Sequence, residues 1–181
     1  PAMRLTCSMP RASLNGGGSA AGPSIQYAWE ARNGGRILAG NASSTPLVDA
    51  AGTYFLLVQD TANGCSNIDS VTVDAIFSGP ALASMPDQTL TCRDTSALLE
   101  AVLPDSRPYA YRWCQLLLNG DSICQTGLQI TVNQPGVFLF ELTDLETGCT
   151  SYDQVEVFLS LTPPSVEAGA LLQEYLKVAL L

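Results

Sequence analysis

The chain has 181 residues, and its 17 acidic side chains outnumber its 8 Lys and Arg side chains, which gives a formal net charge of −9. Binding to nucleic-acid phosphates needs a basic surface that this composition does not supply. The sequence contains no histidine, so a serine or cysteine nucleophile would lack its usual partner base. No apolar stretch reaches the length of a membrane span. We therefore expect no enzyme activity, no nucleic-acid partner and no membrane span.

The sequence is a tandem repeat. Cys7 and Cys65 recur as Cys92 and Cys149 at nearly the same separation (65 − 7 = 58 and 149 − 92 = 57). The segments around them recur in the same order: Leu5-Thr6-Cys7 as Leu90-Thr91-Cys92, Tyr27-x-Trp29 as Tyr111-x-Trp113, Gly64-Cys65 as Gly148-Cys149, and Asp69-x-Val71-x-Val73 as Asp153-x-Val155-x-Val157. So long a period indicates two complete domains rather than solenoid units. We assign residues 1–78 and 79–164 to the two domains.

Within the first repeat, short β-branched or aromatic segments at residues 13–14, 25–29, 54–59 and 70–74 are separated by Gly, Pro, Asn and Ser. This pattern predicts strands, and residues 60–65 between the last two predict a hairpin turn with Gly64 at positive φ. The second repeat shows the same pattern, with its hairpin at residues 144–149. The fold class is therefore all-β: two tandem antiparallel β-sandwich domains.

Six cysteines without a Cys-x-x-Cys pair favour disulfides over a zinc or redox site, with buried free thiols as the alternative. Matched spacing predicts one bond per repeat, Cys7–Cys65 and Cys92–Cys149. Cys114 and Cys124, present in the second repeat alone, predict a third. Three disulfides would stabilise small domains and place the protein in an oxidising, extracytoplasmic compartment.

Two aspartates recur at the ends of each hairpin, Asp60 with Asp69 and Asp144 with Asp153. We expect them to cap the turn through bonds to the backbone; calcium binding by these carboxylates is a second interpretation, and a glycosidase pair a third. Otherwise we expect no cofactor. Trp29 and Trp113 are expected to fill the sandwich cores, although an exposed tryptophan could stack on a sugar.

Segments such as Ile25-Gln26-Tyr27-Ala28-Trp29, Asn63-Gly64-Cys65 and Asp87-Gln88-Thr89-Leu90-Thr91-Cys92 resemble the Ig-like and PKD-like repeats of large Bacteroidota surface proteins, including gliding-motility adhesins exported by type IX secretion. The Trp-Asp-Phe-Gly-Asp-Gly signature of true PKD domains is absent. The resemblance implies that the two antiparallel β-sandwich domains are Ig-like and that the protein has an extracellular cell-surface location. It also brings into play Asp-Ser/Thr-apolar glycosylation acceptors, here Thr61, Ser70 and Ser122.

These features predict a non-catalytic structural or adhesive segment of a surface array or filament. Its partners would be neighbouring repeats, identical chains, or a glycan or cell-surface receptor. The alternative is a carbohydrate-binding accessory module of a secreted enzyme, which should group exposed aromatic side chains on one face.

The two ends of the sequence suggest a piece of a longer protein. Neither a start methionine nor a signal peptide is present, and residues 165–181 stand where a third repeat would begin. This tail is either the start of a divergent third repeat or a docking segment, helical or extended. Because it is apolar, we expect Leu172, Tyr175 and Leu176 to contact a neighbouring domain or chain.

Overall fold

The computed structural model describes residues 3–167, in which the chain forms 14 β-strands. No helix in this part of the chain is long and apolar enough to cross a membrane. The expected contacts of Leu172, Tyr175 and Leu176 lie outside the described residues.

The strands of the first unit, in chain order, are Met3–Thr6 (β1), Ala12–Ser13 (β2), Ile25–Arg32 (β3), Ile37–Ala39 (β4), Leu47–Val48 (β5), Gly52–Asp60 (β6) and Ser66–Ile76 (β7). Those of the second unit are Gln88–Thr91 (β8), Ala97–Glu100 (β9), Tyr109–Leu116 (β10), Ser122–Gln125 (β11), Gln129–Val132 (β12), Gly136–Asp144 (β13) and Thr150–Ser160 (β14). The predicted strands all lie in or beside these elements.

In the first unit, a four-stranded sheet in the order β1-β7-β6-β3 faces a three-stranded sheet in the order β2-β5-β4. The buried core comes from both sheets: Leu5, Leu14, Val48, Tyr54 and Val73. Side chains of β7 alternate between the core and solvent around Val71 to Asp74, as its sequence predicts. The unit is a β-sandwich with a small core.

The second unit also has seven strands, but they are divided five and two between its sheets, whereas those of the first unit are divided four and three. Its sheets have the orders β11-β10-β13-β14-β8 and β12-β9. The buried core has 11 members and is centred on Trp113, whose ring lies 5.0 Å from the ring of Phe140 between centroids. Leu82 and Met85, from the segment that joins the two units, also pack against this core. The second core is thus larger than the first and includes residues of the connecting segment.

One pairing differs from a fully antiparallel sandwich. In each unit the first strand runs parallel to the last: Met3 pairs with Val73 and Thr6 with Ile76, and likewise Thr91 with Ser160. The remaining ladders are antiparallel. The residue that follows the first strand, Cys7 or Cys92, therefore lies beside the C-terminal end of the last strand. The hairpin before the last strand lies at the opposite, N-terminal end of that strand.

This direction makes the predicted bonds Cys7–Cys65 and Cys92–Cys149 wrong. Cys65 precedes β7 and Cys7 lies beside its other end, so the 11-residue strand separates them. At about 3.3 Å per residue this strand is roughly 36 Å long, whereas disulfide Cα atoms lie within about 7 Å of each other. The same geometry separates Cys92 from Cys149 along β14. Equal spacing in the two repeats reflected equivalent positions, not bonded partners.

Candidate functional site at the junction of the two sandwiches

A disulfide joins the two units. Cys7 follows β1 of the first unit, Cys149 precedes β14 of the second, and their Cα atoms lie 5.0 Å apart across a sequence separation of 142 residues. Cys149 is buried, with 1% of its surface exposed. A bond between residues so distant in sequence fixes the end of one sandwich against the hairpin of the next.

Backbone contacts surround this bond. The Ser8 N–H donates to the Thr147 carbonyl at 3.0 Å. A Cβ added to Gly148 would lie 2.8 Å from Ser8 Cβ, closer than real Cβ contacts come. On the connecting segment, a Cβ added to Gly79 would collide with the Thr150 carbonyl and Ser151 Oγ. Because Gly79 and Gly148 have no side chain, the backbones of the two units can come into contact at these positions.

The hairpin that carries Thr147, Gly148 and Cys149 is held by Asp144. One carboxylate oxygen of Asp144 accepts the N–H groups of Glu146 and Thr147 at 2.8 and 3.2 Å. The other accepts Arg107 Nη1 at 2.5 Å, and 3% of the Asp144 side chain is exposed. A buried carboxylate with these donors is satisfied by the fold and fixes the turn that meets the first unit.

Arg107 also joins Asp144 to a more exposed cluster. Its Nε donates to Asp105 at 3.0 Å, and the Tyr109 hydroxyl donates to Asp105 at 2.8 Å. The backbone N–H of Arg107, followed by the Tyr109 hydroxyl, lowers the pKa of Asp105, which keeps this carboxylate charged beside the guanidinium. The cluster of Asp105, Arg107 and Tyr109 therefore stabilises the hairpin at the junction.

The paired aspartates do not form a common site. Asp69 lies opposite Leu56, which is four residues before Asp60 on β6. Asp153 likewise lies opposite Phe140, which is four residues before Asp144 on β13. Four residues of strand place the two carboxylates of a pair about 13 Å apart along the sheet. Asp60 caps its turn by accepting the Ala62 N–H at 2.9 Å. Asp153 accepts the Met85 N–H of the connecting segment at 2.8 Å.

Among the described residues, no group of three or more His, Cys, Asp or Glu side chains is arranged to hold a metal ion. The geometry of the two pairs agrees with turn capping at Asp60 and Asp144 and gives Asp153 a role in anchoring the connecting segment. It offers neither a two-carboxylate catalytic centre nor a ready calcium cage, since the members of each pair are too far apart to share a ligand.

The remaining cysteines lie at separate places. Cys114 and Cys124 face each other on β10 and β11 and are bonded, as their spacing predicts. Cys65 and Cys92 are free thiols, and both are exposed. Sequence reasoning expected bonds at these two positions because it assumed that partners lie within one repeat.

Both tryptophans belong to the sandwich interiors. Trp113 is 1% exposed. Trp29 is half-buried against the first core, and its indole N–H donates to the Ser43 carbonyl at 2.9 Å. By contrast, the predicted acceptors Thr61, Ser70 and Ser122 are all exposed. Their accessibility meets the first requirement of glycosylation, which stays a prediction.

No family model and no curated protein matches the chain. Among solved structures, an I-band fragment of titin is similar at 12% identity, with a TM-score of 0.44 over 89% of this chain and 62% of the fragment. Sidekick-1 immunoglobulin domains 1–5 align at 13% identity, with a TM-score of 0.36 over 89% of this chain and 39% of that one. The PKD domain of human KIAA0319 aligns at 15% identity, with a TM-score of 0.34 over 50% of this chain and 93% of the domain.

The chain thus spans less than two thirds of the titin and Sidekick-1 structures that it resembles. Similarity at these scores adds nothing to the strand order and the two cores, which define the tandem Ig-like sandwiches on their own.

Proposed function

We propose that this chain is a non-catalytic structural segment of an extracellular surface or filament protein, in which Ig-like sandwiches are fixed in series. The observation that carries the proposal is the Cys7–Cys149 bond between the two units. A disulfide is stable in an oxidising compartment, which supports a location outside the cytoplasm.

Rigidity is the property that such a bond adds. Two sandwiches joined by a single connecting segment usually move relative to each other unless the interface is large and apolar. Here the disulfide, the Ser8–Thr147 hydrogen bond and the close approach at Gly79 hold the two units at several points. A string of units held in this way keeps its distal end at a defined distance from the cell.

The competing assignment is a carbohydrate-binding module. Platforms that stack sugars use exposed aromatic rings, and both tryptophans here are turned into the sandwiches. The carboxylate pairs are likewise spread along the strands rather than gathered. These placements favour the structural role, with adhesion supplied by surfaces of the array.

The test compares two double variants by small-angle X-ray scattering. Cys7→Ser with Cys149→Ser should broaden the distribution of inter-unit distances, because it removes the covalent link between the units. Cys114→Ser with Cys124→Ser is the matched control: it removes a disulfide within one hairpin and should leave the distribution narrow.

Indistinguishable scattering curves for the wild type and the Cys7/Cys149 variant, with both units still folded by circular dichroism, would contradict the proposal that this bond makes the segment rigid.

A further inference from the structure

Strand β11 lies at an edge of the five-stranded sheet of the second unit, and all four of its residues are exposed. In the part of the chain that the structure describes, β10 pairs with one side of β11 and no strand pairs with the other. At the hairpin turn, the Leu117 N–H donates to the Asp121 carbonyl at 2.9 Å. Because bonded and non-bonded pairs alternate along an antiparallel ladder, the N–H and carbonyl groups of Ser122 and Cys124 point away from β10. They form an open hydrogen-bonding edge.

The disulfide between Cys114 and Cys124 holds this edge strand in place. The two residues lie directly opposite each other on β10 and β11, with Cα atoms 4.0 Å apart. The first repeat has Glu30 and Gly40 at the corresponding positions (114 − 84 = 30 and 124 − 84 = 40), and its strand β4 belongs to the three-stranded sheet. Of the two described units, only the second therefore has a strand at this place, and that strand is covalently attached.

A cavity of about 180 Å³ opens between the inner face of β10 and β11 and the strand β12. The sheet that contains β12 has two strands against five, so it does not cover the whole of the larger sheet. Ile123 of β11 lines the cavity and is 63% exposed, so the cavity reaches the open edge. Its apolar wall consists of four buried core residues, Trp113, Ile130, Val132 and Phe138.

The polar part of this cavity is neutral. Among the described residues that line it there is no acidic or basic side chain; its polar groups are one hydroxyl and four carboxamides, from Gln115, Gln125, Thr131, Asn133 and Gln134. At about 30 Å³ per water molecule, the volume corresponds to about six waters, whereas sites for whole small molecules measure about 300–1,000 Å³. The cavity therefore fits one uncharged side chain rather than a complete small ligand.

Charge next to the cavity favours a basic partner. Asp121 is exposed and lies two residues before Ile123, which places it on the same face of the strand. The whole chain has a formal net charge of −9. Two copies of the chain repel each other at this charge, whereas a segment with a lysine or arginine near Asp121 is attracted.

We propose that β11 binds an extended peptide of a partner protein as an added antiparallel strand. The peptide backbone bonds to the outward N–H and carbonyl groups of Ser122 and Cys124. A neutral side chain opposite Ile123 enters the cavity, and a basic side chain two residues later in the peptide lies beside Asp121. The disulfide fixes the edge before the peptide arrives, which lowers the cost of binding. This site goes beyond the proposed structural role by adding a peptide partner.

The probe is the blocked peptide acetyl-Thr-Val-Thr-Leu-Thr-Lys-Thr-amide, whose leucine is placed opposite Ile123 and whose lysine is placed opposite Asp121. It is titrated into the isotope-labelled full chain and followed by NMR, and calorimetry gives the Kd. We expect shifts of the backbone amides of Ser122 and Cys124 and of the carboxamide groups that line the cavity.

Two altered peptides separate the contribution of the backbone from that of the side chain. Aspartate in place of leucine brings a charge into a neutral cavity, and N-methylation of the two threonines next to leucine removes the N–H groups that face β11. Each change should raise the Kd about tenfold or more.

Two substitutions test the site on the protein. Ile123→Asp puts a charge at the cavity near Asp121 and should raise the Kd for the unaltered peptide about tenfold or more. Ile68→Asp is the matched control, because Ile68 is also 63% exposed and lies on a strand of the first unit. Its Kd should equal that of the wild type.

The absence of shifts at millimolar peptide, an unchanged Kd for the N-methylated peptide, or equal Kd values for Ile123→Asp and Ile68→Asp would each overturn the proposal. If N-acetylglucosamine shifts the carboxamides and the peptide does not, the cavity is a sugar site and the proposal is likewise wrong. None of these results alters the scattering comparison of the Cys7/Cys149 variant, because that bond belongs neither to β11 nor to the cavity. Failure of peptide binding is thus distinguishable from failure of the structural role.

Discussion

The hydroxyl group of Tyr54 links three parts of the first unit. The Tyr54 ring is fully buried, and its hydroxyl donates to the Ala50 carbonyl at 2.6 Å and accepts the Arg36 N–H at 2.9 Å. A tyrosine that bonds to the backbone a few residues upstream is typical of Ig-like sandwiches, in which it holds a loop against the sheet. The second unit has Phe138 at the equivalent position and fills the space without such a bond.

Replacing Tyr54 with Phe should therefore destabilise the first unit by about 1–3 kcal/mol, because the Ala50 carbonyl and the Arg36 N–H lose a buried partner while the ring still packs. Urea denaturation of the two variants in a Trp113→Phe background, followed by Trp29 fluorescence, measures this free energy of unfolding. Tyr27→Phe is the control, since its hydroxyl donates to Ala20 in an exposed setting and its removal should cost less. Equal losses for the two variants would contradict the role assigned to Tyr54.

For single residues, the sequence predicts the role of a side chain where that role depends on the local sequence pattern. Trp113 in the core and Asp60 and Asp144 at the turns follow from strand periodicity and turn chemistry. The two partners of the Tyr54 hydroxyl could not be predicted, because one of them, the Arg36 N–H, lies in the loop before β4, and its position depends on how the two sheets pack.

The strands and hairpins could be predicted because the residues that pair within a hairpin are close in sequence. Cys114 and Cys124 form a cross-strand pair of one hairpin, and their bond follows from ten residues of separation. The pairing of β1 with β7 joins residues about 70 positions apart, and its direction carries no signal in the sequence. The parallel direction of this pair is what made two predicted disulfides wrong.

An ion pair between the beginning of β4 and the end of β5 makes the first unit sensitive to acid. Arg36 Nε and Nη2 donate to the two Asp49 oxygens at 2.7 and 2.6 Å, and these hydrogen bonds hold the pKa of Asp49 below its ordinary value of 3.8. Since the folded pKa is the lower one, the stabilisation is complete above about pH 5 and is lost as the pH falls through the folded pKa.

The unfolding temperature should accordingly fall between pH 5 and pH 3 by more in the wild type than in Asp49→Asn, which cannot gain that proton. Calorimetry at several pH values measures the difference. Asp74→Asn, which removes the same charge from an exposed position on β7, should retain the wild-type slope. If Asp49→Asn retains it as well, the ion pair does not contribute to acid unfolding.

The whole molecule depends on a junction that no local pattern revealed. Domain order and number could be inferred from the repeat, but a bond between units requires knowing which ends of the two sandwiches meet. The repeat does carry a usable signal: cysteines that recur at opposite ends of each unit can pair between units in series as well as within one. Choosing between these possibilities needs the direction of the first strand.

Gly64 and Gly148 give a direct comparison of a free hairpin with a hairpin at the junction. Their φ angles are +75° and +69°, so alanine at either position costs about 1 kcal/mol in backbone strain. A Cβ at Gly64 would meet no atom within 4 Å, whereas at Gly148 it would lie 2.8 Å from Ser8 Cβ and 3.1 Å from Ser8 N. Gly148→Ala must therefore also push the two units apart.

We expect Gly64→Ala to lower the stability of its own unit and leave the junction unchanged. Gly148→Ala should in addition weaken the Ser8–Thr147 hydrogen bond and speed hydrogen exchange at the Ser8 amide, which mass spectrometry of the peptides around Cys7 measures. Reduction of the Cys7–Cys149 bond should also become easier in Gly148→Ala, because a spread junction exposes Cys149, which the wild type buries. Identical exchange in the two variants would mean that the contact at Gly148 does not hold the units together, leaving the disulfide as the main link between them.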